Sequence, residues 1–347
     1  MKIVYSLSGE GRGHGSLALA VLPALQRAGP QRMVVTYGQS LDRLAGYDVL
    51  PIRGIKHFYD RGGRLSLPIS VFRNAGVLAY YCTSWPTVRR QLRKFAPDLF
   101  IVNFEPFTPL IARSLNVPVI SFDNQHALLC LKEGVPPGQR FPAWTTKSAI
   151  RLVAPWARHY LITTIAAVAP ARRNTHIVPL VVNGQVRQIQ PTNGTKVLVY
   201  LKHPNARFLE TLKQTDEQFV VYGYDTAAID RNLTFRAFNS QMPAELGASK
   251  AVMGTAGLSL ISEALWLKKP FFAIPLKNEF EQMVSAMAVR RLGFGDFAEE
   301  PSPEQIKQFF ANLAPYRESL RNFHFDPDAA ANKLIELVAS VASENGR

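Results

Sequence analysis

The chain has 347 residues, of which 47% are hydrophobic and 19% are charged, and its formal net charge is +14. This composition excludes a disordered chain, and the length favours two domains over one. Its two cysteines, Cys82 and Cys130, are far apart, which excludes a disulfide scaffold and favours reduced thiols. The N-terminus lacks a signal-peptide pattern and no uncharged apolar run reaches about 18 residues, so we expect a cytoplasmic protein without a membrane span.

The positive charge lies in the first half. Residues 1–180 contain 22 Lys and Arg against 8 Asp and Glu, whereas residues 181–347 contain 18 of each kind. Residues 53–94 hold nine basic side chains, one acidic side chain and several interleaved aromatics. This pattern predicts peripheral attachment of residues 53–94 to an anionic membrane, on the inner face of the cell membrane. The alternative is that the aromatics are core and the charges are solvated. No RNA-binding signature is present, so no nucleic acid is expected.

Strand-like segments alternate with amphipathic segments along the chain, which is typical of a parallel sheet covered by helices. In the first half these strand-like segments are KIVYSLS, RMVVTY, DLFIVNF, VPVISF and HYLITTI. Residues 171–195 are rich in turn-forming and polar residues and are interpreted as an interdomain crossing. The alternation then restarts with KVLVYL, QFVVYG, LTFRAF, SKAVMG and FFAIP.

This organisation predicts two Rossmann-like doubly wound α/β domains that face a cleft. The expected domains are residues 1–175 on the acceptor side and residues 176–325 on the nucleotide-sugar side. Residues 326–347 form a C-terminal helix that can pack back on the first domain. Ligands of such sheets bind where strands end, so the loops after strands are the places to search for chemistry.

The first such loop, SLSGEGRGHGSLALA (residues 6–20), carries Gly9, Gly11 and Gly13 beside His14. The spacing excludes the dinucleotide fingerprint and the P-loop. A glycine loop at a helix start still suits an anion, and His14 can donate a hydrogen bond or act as a base. The alternative is a cluster of turn glycines with a solvated histidine.

Two carboxylates follow other strands of the first half. Asp123 opens the run DNQH directly after an apolar strand, and Glu105 stands in a similar place in IVNFEPFTPL. Asp123 is a candidate general base or a helix cap. For Glu105 a capping or solvated role is favoured, and it stands as a reserve candidate for the base.

Residues 249–282 carry the most specific pattern. A strand is followed by the small residues Thr255, Ala256 and Gly257, and then by a helix that starts with Leu258 and Ser259. Backbone amides at such a helix start bind phosphate. Glu263, further along the helix, can accept two hydrogen bonds from a ribose diol. The arrangement fits a nucleoside diphosphate.

At these residues the sequence resembles the donor-binding region of GT-B glycosyltransferases. It is most similar to the lipid-linked N-acetylglucosaminyltransferases of peptidoglycan synthesis, the MurG-like family. The shared pattern is a small residue and Gly, then Ser-Glu, a strand ending in Pro, and a loop ending in Gln. It is carried by Ala256, Gly257, Ser262, Glu263, Pro275 and Gln282.

The resemblance implies that Glu263 binds the donor ribose, that Gln282 contacts the sugar, and that Phe238 with Asn239 lies against the base. It also implies an inverting transfer from a UDP-sugar, such as UDP-N-acetylglucosamine. The resemblance does not identify the acceptor; the positive charge of residues 1–180 predicts a lipid-linked or otherwise anionic one. Met283 departs from the family, which has a second Gln there, and so does Lys202 in YLKHPNA, where the family has Gly and Ser.

No motif for holding a metal is present, so we expect no cofactor and no metal requirement. Two alternatives stay open at this point: a non-hydrolysing UDP-sugar epimerase of the same fold, and a nucleotide-sugar-binding protein without turnover. The single Glu263 after the small turn argues against the epimerase, which needs paired acids there.

Overall fold

The computed structural model describes residues 1–11, 13–59, 65–132, 134–170, 173–224, 226–238 and 241–345. The chain divides into two compact units. The N-terminal unit contains residues 1–59, residues 66–181 and the C-terminal segment from Asp326. The C-terminal unit contains Leu65 and residues 182–325.

The N-terminal unit is built on a seven-stranded sheet. Its strands are β1 (Lys2–Leu7), β2 (Gln31–Thr36), β3 (Val49–Pro51), β4 (Leu99–Asn103), β5 (Val119–Asp123), β6 (His159–Thr163) and β7 (Thr175–Val178). Its helices are α1 (Gly13–Arg27), α2 (Gln39–Arg43), α3 (Leu67–Phe95), α4 (Thr108–Ser114), a 3-10 helix (Gln125–Leu129) and α5 (Arg140–Leu152). The C-terminal helix of the chain, Ala329–Asn345, also belongs to this unit.

The strand order is β3-β2-β1-β4-β5-β6-β7, and all the pairs are parallel. The central strands are apolar because both faces of the sheet are covered. On one face Leu22 of α1 shares a core with Leu334 of the C-terminal helix. On the other face Leu92 of α3 shares a core with Ile111 of α4. Since the strands are parallel, the ends of β1, β4 and β5 meet at one edge.

The C-terminal unit repeats this plan. Its strands are β8 (Val197–Tyr200), β9 (Phe219–Tyr222), β10 (Ala228–Asp230), β11 (Leu233–Arg236), β12 (Ala251–Thr255), β13 (Phe271–Ile274) and β14 (Gly295–Phe297). Its helices are α6 (Gly184–Arg187), α7 (Ala206–Leu212), α8 (Met242–Ala248), α9 (Leu258–Trp266), α10 (Phe280–Arg291), α11 (Pro303–Ala311) and α12 (Leu313–Arg321). The helix Ala329–Asn345, which belongs to the N-terminal unit, is numbered α13. The order is β10-β11-β9-β8-β12-β13-β14, antiparallel only between β10 and β11.

The prediction of two doubly wound α/β domains is confirmed, and each of the ten strand-like segments contains a strand. The four strands that the sequence did not reveal, β3, β7, β10 and β14, have three or four residues each. The interpretation of residues 171–195 as a crossing throughout was wrong in one part. Strand β7 lies inside this segment and pairs with β6 at the sheet edge.

The aromatic residues of 53–94 divide into two groups. Tyr81 stacks on buried Phe107 with ring centroids 4.4 Å apart, and Trp85 meets Phe107 edge-on. Phe72 is 83% exposed on α3. The alternative of core aromatics therefore holds for Tyr81 and Trp85 and fails for Phe72. Within the described part of the chain, no helix is long and apolar enough to cross a membrane.

Candidate functional site

The N-terminal unit holds a histidine whose ring orientation and tautomer are set by a hydrogen bond. His14 lies in the first turn of α1, and its Nδ1 is 2.7 Å from Oδ1 of Asn103 at the end of β4. An amide oxygen only accepts hydrogen bonds, so neutral His14 donates its Nδ1 hydrogen to Asn103. The lone pair of His14 is then on Nε2, which is the arrangement of a general base.

The surroundings of His14 keep the imidazole neutral. Burial lowers the pKa of His14 below its ordinary value and outweighs the opposing effects of Asn103 and Asp123. The start of α1 adds to this, since the positive end of a helix disfavours a cation. A neutral imidazole at physiological pH can take a proton from an acceptor hydroxyl.

The backbone next to the His14–Asn103 pair is strained. Phe104 follows Asn103 and has a φ of 51°, a left-handed conformation that a bulky side chain rarely adopts. Its ring lies parallel to the imidazole of His14, with centroids 6.2 Å apart. Such strain concentrates at functional sites. Sequence reasoning missed Asn103 and Phe104 because both were assigned to the strand DLFIVNF; the amide at the strand end was the available signal.

Asp123 is turned inward. It is 1% exposed, and its oxygens accept hydrogen bonds from Oγ of Ser121 at 2.9 Å and from the backbone N–H of His126 at 2.9 Å. The Nδ1 of His126 lies 2.8 Å from the second carboxylate oxygen. Burial raises the pKa of Asp123, but His126 and these hydrogen bonds outweigh burial, so the pKa lies below its ordinary value. Asp123 is a paired carboxylate that organises its own loop.

Glu105 caps a helix. Its Oε1 accepts the backbone N–H of Phe107 at 2.7 Å, and its Oε2 accepts the backbone N–H and the hydroxyl of Thr108 at 2.8 and 2.6 Å. Thr108 is the first residue of α4. Burial raises the pKa of Glu105 against the lowering effect of these hydrogen bonds. The side chain is 0% exposed, which keeps it from reaching an acceptor.

The three predicted glycines have different surroundings. A side chain at Gly9 would collide with the backbone of Tyr37, so this glycine permits close contact with the end of β2. Gly11 has a φ of +70°, a conformation that favours glycine, and open space around it. Gly13 is the exposed first residue of α1. Of the three, Gly11 and Gly13 leave their backbone accessible beside His14.

In the C-terminal unit, the turn between β12 and α9 is open. Thr255 ends β12, Gly257 precedes α9, and nothing lies within 4 Å of a side chain placed at Gly257. Among the described residues, no side chain caps the start of α9. The first amides of a nine-residue helix, at Leu258 and Ser259, are therefore available to an anion.

The neighbouring strand meets this turn. The backbone N–H of Lys202, after β8, donates to Oγ1 of Thr255 at 2.9 Å. The side chain of Ala256 is buried, which anchors the turn in the interior of the protein. Glu263 lies half-buried in the second turn of α9. Gln282, on α10, accepts the backbone N–H of Leu276 at 3.1 Å through Oε1, which orients its amide.

Phe238 follows β11 and lies at the same edge of the sheet. It is 38% exposed and meets Tyr200 and Tyr222 edge-on, with ring centroids 6.4 and 6.3 Å away. Tyr200 ends β8, next to β12, so Phe238 and the Thr255 turn lie on either side of it. Asn239, its predicted neighbour, lies outside the described residues.

Each unit thus gathers its predicted residues at the strand ends of its own sheet. The N-terminal unit holds an oriented imidazole, and the C-terminal unit holds an open helix start, a partly exposed aromatic ring and a carboxylate. No group of three or more His, Cys, Asp or Glu suited to a metal ion occurs in the part of the chain that the structure describes.

Comparisons with known proteins identify the family and the fold. The sequence model of Glycosyl transferase family 1 matches residues 1–314. An uncharacterized glycosyltransferase of Methanosarcina acetivorans is 24% identical over 337 residues, which cover 88% of each chain. The spinosyn rhamnosyltransferase SpnG complexed with thymidine diphosphate has a TM-score of 0.67 at 13% identity, over 97% of this chain and 100% of that one.

MurG of Acinetobacter baumannii has a TM-score of 0.61 at 17% identity, over 98% of this chain and 100% of that one. The likenesses to these two solved structures show the fold, which is GT-B. The family match spans nearly the whole chain. The chain therefore belongs to glycosyl transferase family 1 and is a glycosyltransferase.

Proposed function

We propose that the chain transfers a sugar from a nucleotide donor, a UDP-sugar such as UDP-N-acetylglucosamine, to a lipid-linked or anionic acceptor with inversion. The observation that carries this proposal is the 2.7 Å bond that fixes the proton of His14 on Nδ1. A nucleotide-sugar-binding protein has no need of an oriented neutral base. An epimerase needs a pair of acids after the small turn, and Glu263 is the single acid on α9, the helix that follows this turn.

In the proposed reaction, His14 Nε2 takes the proton of the acceptor hydroxyl. The acceptor oxygen forms a bond to the anomeric carbon as the bond from that carbon to the diphosphate oxygen breaks. The electron pair of the broken bond stays on the nucleoside diphosphate, whose charge the amides of Leu258 and Ser259 stabilise. Attack opposite the leaving group inverts the anomeric centre. In this scheme Asp123 and Glu105 hold loops, and no metal ion is required.

The donor side of the proposal assigns the base to Phe238, the ribose to Glu263 and the sugar to Gln282. The open turn at Thr255, Ala256 and Gly257 takes the diphosphate. Met283 replaces the second glutamine of the MurG-like pattern and is 8% exposed, so Gln282 carries the sugar contact at this position. The bound thymidine diphosphate of SpnG makes a thymidine nucleotide the main competitor of uridine.

The acceptor side rests on charge. Residues 1–180 contain 22 basic and 8 acidic residues. This excess of positive charge favours an acceptor that carries negative charge, such as a lipid-linked diphosphate.

A two-step experiment tests the proposal. Thermal unfolding with a panel of UDP-sugars and TDP-sugars identifies the donor, since a ligand at 100 times its Kd stabilises the fold by about 2.7 kcal/mol. The chosen donor is then incubated with and without lipid-linked acceptors, and release of free nucleoside diphosphate is measured. Release only with an acceptor supports the proposal. An isomerised sugar without acceptor would indicate an epimerase, and binding with no product in any mixture would indicate a binding protein.

A further inference from the structure

Helix α5 presents large apolar side chains to solvent. Phe141, Trp144 and Leu152 are 66%, 65% and 77% exposed. The rings of Phe141 and Trp144 stack with centroids 6.2 Å apart. With about 100° between successive helical residues, these three side chains fall within an arc of about 80°. The buried residues Ala143 and Ile150 lie on the opposite side of the helix. The exposed side therefore carries an apolar stripe, in which Ser148 lies between Trp144 and Leu152.

The charge of α5 is arranged beside this stripe. By the same rotation, Arg140, Lys147 and Arg151 fall within about 40° of one another, on one flank of the apolar arc. The whole stretch 134–158 contains no Asp or Glu. A stripe of Phe, Trp and Leu flanked by Lys and Arg is the pattern of a helix that lies in a membrane interface.

We propose that α5 is a docking helix for an anionic lipid bilayer, with Phe141, Trp144 and Leu152 among the acyl chains and the basic flank on the headgroups. This inference deepens the proposed function by naming the surface from which a lipid-linked acceptor is reached. It also moves the lipid contact beyond residues 53–94, to which the sequence alone assigns it.

Charge complementarity selects the bilayer over a second copy of the chain. Two copies meeting through α5 would bring together two basic flanks with no acid in either helix to pair with them. An anionic bilayer instead offers negative headgroups and an apolar interior at the same surface.

The proposal includes helix α3 of the same unit as a second contact, because stable attachment requires more than one. Val71, Phe72 and Leu78 are 71%, 83% and 55% exposed, and residues 65–95 contain no Asp or Glu. The basic residues Arg93 and Lys94, at the far end of the same helix, are exposed but stand apart from its exposed apolar turns. They therefore serve as a matched control for the basic flank of α5.

The test is sedimentation of the full-length protein with vesicles of phosphatidylcholine alone or with phosphatidylglycerol, without nucleotide sugar. We expect binding to the anionic vesicles only, lost at high salt. The double change F141S and W144S should weaken partitioning at least tenfold. Changing Arg140, Lys147 and Arg151 to Gln should weaken it about a hundredfold, because each basic residue contributes roughly fivefold. The control variant that combines R93Q and K94Q should weaken partitioning onto the anionic vesicles less than threefold for each changed residue.

A second readout locates the helix. Brominated acyl chains should quench the fluorescence of the bound protein, and W144F should bind equally well but lose most of the quenching. Thermal unfolding checks that the variants fold, which is expected because the altered side chains are exposed.

No sedimentation of the parent protein with anionic vesicles would overturn the proposal, as would binding unchanged by F141S and W144S. A dimer in solution that these changes disperse would assign the stripe to a second copy instead. Sugar transfer in solution is scored separately, so failure of one proposal leaves the other standing.

Discussion

The two units place opposite kinds of structure at the corresponding edges of their two sheets. In the N-terminal unit, Asp123 and Glu105 are buried and saturated by donors of their own loops. In the C-terminal unit, the turn at Gly257 is open and Glu263 stays half-exposed beyond it. The first edge is preorganised around one imidazole, whereas the second is shaped to receive a ligand. The proposed function assigns proton transfer to the first edge and nucleotide binding to the second.

The strongest way to break this comparison is to remove the imidazole. H14Q should lower kcat by about 10²–10⁴, the usual contribution of a positioned general base. The Kd for the nucleotide should stay unchanged because the donor residues lie in the other unit. Initial rates and calorimetry measure the two quantities. If H14Q keeps more than a tenth of the parent kcat, the base is a different residue.

The inward carboxylate gives the next largest effect, on stability. D123N leaves His126 without its buried ionic partner, which should lower the free energy of unfolding by about 3–5 kcal/mol. Because folding lowers the pKa of Asp123, its contribution is present above the unfolded pKa of about 3.9 and is lost as the pH falls below it. Denaturant unfolding at pH 7 and at pH 3 measures this dependence.

The activity of the same variant separates the two roles that the sequence left open. At a temperature where D123N is folded, kcat should change far less than in H14Q. A loss of 10²-fold or more in kcat, with the fold and the nucleotide affinity intact, would instead make Asp123 the base.

The contrast between the units also explains how far the sequence could be interpreted. Periodicity and turn residues predicted the two sheets because long buried strands are apolar throughout. The three-residue strands β3, β10 and β14 carry too few residues for any period. The sequence was sufficient to locate the loops after β1, β5 and β12. It was not sufficient to predict whether a side chain of these loops points into the protein or towards solvent. Whether Asp123 faces inward depends on His126 and Ser121, which fold back onto it only in three dimensions.

The C-terminal edge is tested through Glu263. E263Q keeps the shape of the side chain but removes its charge, and a hydrogen bond to a charged group is worth about 1.5–3 kcal/mol. Nucleotide affinity should therefore fall roughly 10- to 150-fold, as measured by calorimetry with the donor's nucleoside diphosphate. E210Q is a suitable control because Glu210 is exposed on α7 and pairs with Lys213. Equal affinities for E263Q and the parent would remove Glu263 from the ribose site.

The smallest expected effect sharpens the N-terminal side. Asn103 is neutral, so its hydrogen bond orients His14 and raises the pKa of the imidazole by less than burial lowers it. N103D places a negative charge 2.7 Å from Nδ1, and an opposite charge at this range raises a histidine pKa by about one unit or more. Since the base works only when neutral, kcat/KM falls as the pH drops through the pKa of His14, which burial keeps below about 6.5 in the parent. The acid limb of the pH profile of kcat/KM should therefore move to higher pH in N103D, by about one pH unit.

N103L removes the acceptor altogether and should lower kcat without this displacement, because the imidazole then loses its orientation and gains no charge partner. A pH profile that N103D leaves in place would mean that the limb belongs to another group, and the role of His14 would have to be reassigned even if H14Q is inactive.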